Sequence, residues 1–130
     1  GYPHDINELY KFCNKDQIEV NPENIDKFFK QSYLVLTALG VTVQELFCLG
    51  TPMGIVHNYD YDEIDIKNIY RFSKELRPND QLISSFGSYE NINYLKMHKE
   101  IVYRKSSTII SKPLMQAGEG WKTFLKDINN

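Results

Sequence analysis

Apolar residues recur along this chain mostly at helical spacing, broken by a few short runs that suit a strand. From Asp5, whose carboxylate can cap a helix, Ile6, Leu9, Tyr10 and Cys13 fall on one helical face. Residues 21–40, NPENIDKFFKQSYLVLTALG, predict the clearest helix. Asn21 offers a capping oxygen, Pro22 suits the first helical position, and Gly40 suits the left-handed residue past the end. Ile25, Phe28, Phe29, Leu36 and Leu39 then form one stripe, expected in the core. The next residues, TVQELFCLG, predict a shorter helix with Thr42 as cap, Glu45 three positions on and Gly50 as stop.

Beyond TPMG, the β-branched and aromatic residues from Ile55 to Tyr59 predict a short strand. From Asp62 to Leu76 a helix is expected with Ile66, Ile69, Tyr70 and Leu76 on one face, ended by Pro78. Residues 89–99 read as a helix followed by extended chain, because EIVYRKSSTIIS also suits a pair of short strands. A last helix over 116–128 would pack Trp121, Phe124, Leu125 and Ile128. The predicted fold is a single α+β domain over residues 1–130, helix-dominated, with a small sheet or hairpin; an all-α domain is the alternative.

Composition supports one core. At 130 residues and 42% hydrophobic, the chain can bury enough apolar surface to fold without disulfides or metals. Its longest apolar windows, Tyr33 to Leu39, Val41 to Leu49 and Thr108 to Ile110, fall far short of the roughly 20 residues of a membrane span. A soluble protein with no membrane association is expected. Cys13 and Cys48 are too sparse for a disulfide framework, which points to a reducing, cytoplasmic setting. The first residue is Gly1 and no charged-then-apolar leader follows, so a trimmed or processed start is expected.

Candidate chemistry is thin. HNYDYDEID, residues 57–65, gathers Asp60, Asp62, Glu63 and Asp65 behind His57. Acids in a first helical turn are stabilised by the helix dipole, and Glu63 and Lys67 stand i, i+4 in the favourable order, so a helix start accounts for all four. The competing reading takes Asp60 and Asp62 as oxygen ligands of a divalent cation, although the glycine and distal glutamate of a calcium loop are missing. His4, His57 and His98 have no zinc spacing, the seven glycines form no phosphate loop, and nothing near either cysteine activates a thiolate. No catalytic residue, metal or cofactor is expected.

The stretch NPENIDKFFKQSYLVLTALGVTVQELFCLG, residues 21–50, resembles the closing part of the Cro and repressor type of helix-turn-helix domain, where a helix ending in an ALGV turn precedes a short capped helix. The resemblance implies two helices joined by a tight turn and a nucleic-acid-binding regulator. Only 20 residues precede it, where that family has the helix that enters the major groove. RPND with Glu90 is similar to the Pro-Asp and Glu pattern of restriction-type nucleases, but the lysine expected two positions later is Ile92.

Charge changes the picture most. Residues 1–65 carry 4 basic and 11 acidic side chains, and residues 66–130 carry 11 basic and 6 acidic. Lys96, Lys99, Arg104 and Lys105, interleaved with Tyr94 and Tyr103, form a basic and aromatic segment suited to an acidic protein surface or to single-stranded nucleic acid. The alternative for that segment is a solvated face neutralised by the acidic half. The expected function is therefore a non-catalytic, regulatory interaction domain of inhibitor or immunity type, with a protein partner, through Tyr94, Lys96, Lys99, Tyr103, Arg104 and Lys105. A nucleic-acid-binding regulator is the first alternative and a small metal-dependent enzyme using residues 57–65 the second.

Overall fold

A strand interrupts the long helix that the periodicity predicts. In a computed structural model, which describes residues 5–76, 78 and 81–106, helix α1 (Ile6–Leu9) and a 3-10 turn (Lys15–Gln17) lead to α2 (Ile25–Gln31). Strand β1 (Val35–Thr37), α3 (Val41–Leu49), β2 (Met53–His57), α4 (Asp62–Leu76), β3 (Ile83–Ser88) and α5 (Tyr94–Ser106) then alternate. The predicted helix at 116–128 and the chain from 107 lie outside the described residues.

Local chemistry explains the corrected boundaries. Asn24, not Asn21, caps α2, its Oδ1 accepting from the Lys27 N–H at 3.3 Å, while Asn21 takes a left-handed φ of 48° in the preceding turn. The Ser32 hydroxyl donates to Phe28 O at 2.6 Å where α2 ends, and the aromatic and β-branched residues that follow continue as strand. The run 21–50 is thus helix, strand, helix, so the two adjoining helices of the helix-turn-helix resemblance are not formed. α3 starts one residue before its expected cap, with Thr42 inside the first turn, and ends at Gly50, whose φ of 69° meets the left-handed requirement. β2 begins two residues earlier than expected, and α5 runs on to Ser106 where extended chain was expected after 99.

The sheet is small and wholly parallel, in the order β1-β2-β3, so the hairpin option is not used. Val35 and Thr37 pair with Met53 and Ile55, which pair in turn with Ile83 and Ser85. Parallel neighbours need crossovers, and α3 and α4 supply them. On one face Met53, Ile55 and Ile83 join Phe29, Val43, Leu46, Phe47 and Ile66 in the core. On the other face a Cβ at Gly54 would strike the ring of Phe86 and come within 2.8 Å of Leu36, so the missing side chain lets a fully buried Phe86 lie across β2. The expected helical stripe fails with its helix: Phe28 is 46% and Leu36 48% exposed, and Phe29 takes the core position. Together the described residues make a helix-dominated α+β domain in which no helix is long and apolar enough to cross a membrane.

Candidate binding surface

α5 carries all six residues that the sequence singles out. Asn93 caps it, with Oδ1 accepting from the Lys96 N–H at 3.0 Å, and basic Arg104 and Lys105 occupy the last turn, where the helix dipole favours cations. Met97, Glu100, Ile101 and Arg104, at i, i+3, i+4 and i+7, turn toward the sheet and are half-buried. The Glu100 carboxylate accepts from Ser84 Oγ at 2.9 Å and from Arg104 Nε at 2.9 Å and Nη2 at 2.7 Å, while the same guanidinium donates to Gln81 O. This pair is largely shielded from water, with the arginine side chain 11% and the carboxylate 16% exposed. It fixes α5 across β3.

The opposite face of α5 is open. Leu95, Lys99 and Val102 follow one another at helical spacing, with Tyr94, Tyr103 and Lys105 beside them, and all six are exposed. Lys99 and Lys105 have no carboxylate partner among the described residues. Lys96 sits at the margin: its ammonium donates to Ser85 O at 2.7 Å and lies 5.8 Å from the centre of the Phe86 ring. Tyr94, Lys99, Tyr103 and Lys105 therefore share one surface, Lys96 borders it, and Arg104 is turned inward.

The acidic cluster follows the C-terminal end of β2, the middle strand of the sheet. Asp62 begins α4 and is buried, its Oδ2 accepting from the Tyr59 N–H at 3.3 Å, and Glu63 pairs with Lys67 at 3.2 Å. His57 is also buried; its Nδ1 lies 3.0 Å from Tyr59 O, which puts the ring proton on that nitrogen. The His57 carbonyl accepts from the Tyr89 N–H at 3.0 Å and so ties the ends of β2 and β3 together. The rings of Tyr59 and Tyr61 stack 5.0 Å apart, and the Tyr61 phenol is held above its ordinary value by desolvation, then by Tyr59 and Asp62. Tyr61 adds no charge at neutral pH.

Comparison with protein-family models, curated proteins and solved structures found no match. The geometry thus stands alone. Among the described residues no three His, Cys, Asp or Glu side chains gather as a metal site, and Cys13 and Cys48 are free thiols.

Two functional assignments escape a reading of composition. The inward turn of Arg104 had a visible signal, since Glu100 stands four residues before it, but the hydroxyl that completes the pair comes from Ser84 on a strand the sequence does not announce. The role of Lys96 against a strand carbonyl had none, because it depends on which edge of the sheet α5 borders.

Proposed function

We propose that this domain binds another protein through the outer face of α5, has no chemistry of its own, and meets a partner surface that is acidic. The observation that carries the reading is the exposed stripe of Leu95, Val102, Tyr94 and Tyr103 bordered by Lys99 and Lys105. Contiguous exposed apolar and aromatic groups mark interaction surfaces, and tyrosine is enriched at interface cores. Lysines with no carboxylate partner among the described residues keep their field for a partner, and such rim charges mainly accelerate encounter. Rigid support from the Ser84, Glu100 and Arg104 network lets the face dock without reordering the helix. A regulatory or inhibitory role in the cytoplasm accords with the free thiols and the small single domain.

The test is binding kinetics of the wild type and the Lys99→Glu, Lys105→Glu double variant against the protein that copurifies with it, at two ionic strengths. The association rate should fall in the variant at low salt, and the difference should shrink as the Debye length contracts to about 10 Å near 0.1 M. Equal association rates at low salt would remove this face from the interface. Single-stranded oligonucleotides provide the rival arm. Affinity for them that drops linearly in log–log form with salt would favour the nucleic-acid reading.

A further inference from the structure

The sheet ends at β3 with an edge that is walled but not paired among the described residues. The Met53 N–H donates to Leu82 O at 2.7 Å, which sets the alternation of the parallel ladder. The Leu82 carbonyl and both backbone groups of Ser84 face β2, Ile83 and Ser85 direct theirs outward, and the ladder stops at Phe86, whose carbonyl accepts from the Asn93 N–H at 2.7 Å. Along that outer edge runs a groove of about 450 Å³, within the usual size for binding clefts. Its floor is Ile83 to Ser85, one wall is Lys67 and Tyr70 of α4, and the other is Lys96 of α5. Among the described residues two cations line it and no carboxylate does. The Lys96 ammonium, resting on Ser85 O, covers one of the outward carbonyls.

We propose that this groove accepts an extended acidic segment of a partner protein, which adds to β3 as a further strand. The proposal rests on the reading of the chain as a binding domain but uses a different surface from the outer face of α5. An added strand would exchange hydrogen bonds with the free backbone groups of Ile83 and Ser85, the mode by which sheet edges capture peptides. Successive side chains of a strand point to opposite faces, so two consecutive carboxylates would meet the two walls, one at Lys67 and the next at Lys96. Charge complementarity therefore selects the occupant. Both lysines can exchange their contacts: Lys67 holds Glu63 in a pair whose side chains are 73% and 60% exposed, and Lys96 rests beside the Phe86 ring on a neutral carbonyl that the incoming backbone would take over.

The experiment is amide hydrogen exchange on the full chain, alone and with a blocked octapeptide carrying Glu-Asp at its centre between valines and threonines. In the free chain the amides of Ile83 and Ser85 should exchange freely while those of Ser84 and Phe86 are protected, and the peptide should slow the first pair by about tenfold or more. N-methylation of the peptide at alternate residues should abolish this protection. Replacing Lys67 and Lys96 by Gln should weaken the peptide by about five- to tenfold, with melting curves confirming that both variants fold. The Lys99→Glu, Lys105→Glu variant should bind the peptide as the wild type does, whatever becomes of its larger partner. Absence of protection at saturating peptide would overturn the proposal, as would an equal loss in the Lys99 and Lys105 variant. Protection of Ile83 and Ser85 already present in the free chain would also overturn it: independent of concentration, it would show residues 107–130 in the groove, and growing with concentration, a second copy of the chain.

Discussion

Phe28 and Phe29 are neighbours in α2, yet the first is 46% exposed and the second 7%. Phe29→Ala should cost about 3 to 5 kcal/mol by opening a cavity against Val43 and Leu46, whereas Phe28→Ala should cost a small part of that. Chemical denaturation of the two variants checks this, and equal losses would mean that both rings are packed. The acids of the 57–65 cluster divide in the same way. Asp62 is buried and accepts a backbone N–H, so Asp62→Ala should cost about 0.5 to 2 kcal/mol. Asp60 is exposed, and Asp60→Ala should stay within about 0.5 kcal/mol of the wild type. Thermal melts of the two single variants distinguish them.

Elements with their signals in their own residues were legible, and elements defined by their neighbours were not. The bounds of α4 agree with the expected Asp62 to Leu76, because acids at its start and an apolar period of 3.6 are local properties. The Gly50 stop of α3 was legible for the same reason. β1 was hidden because Leu36 and Leu39 continue the helical period of Ile25, Phe28 and Phe29, and a short strand in a parallel sheet gives no alternation to oppose it. The candidate surface was legible as a list of residues but not as a face, since the strand that turns Arg104 inward lies 16 residues or more away in sequence. Two tests belong at this scale. Gly54→Ala should destabilise by about 1 to 3 kcal/mol, because the Phe86 ring and Leu36 occupy the space of the added methyl group. A double-mutant cycle on Ser84→Ala and Glu100→Gln should return a coupling of about 0.5 to 3 kcal/mol, and zero coupling would show α5 held by apolar contact alone.

At the scale of the molecule, no ion pair among the described residues joins α5 to the acidic half. Glu63 with Lys67 and Glu100 with Arg104 are each one helical turn apart, and Lys99 and Lys105 have no carboxylate partner among the described residues. Folding stability should therefore respond weakly to salt, on the order of 0 to 1 kcal/mol between low and moderate ionic strength, while association with an acidic partner responds strongly. A melting midpoint that falls steeply with salt would instead reveal attraction between the acidic and basic halves.

The wholly parallel sheet also fixes an order of events in time. No two of the described strands are joined by a turn: β1 reaches β2 only through α3, and β2 reaches β3 only through α4. Every strand pairing therefore closes a long loop before it returns any stability, which makes such sheets slow to assemble. A chain emerging from the ribosome holds β2 with one neighbour until Ile83 to Ser88 appear, and the middle strand is half-paired for that interval. Pulse-labelled exchange during refolding should show α3 and α4 protected first, with the amides of β2 gaining protection together with those of β3.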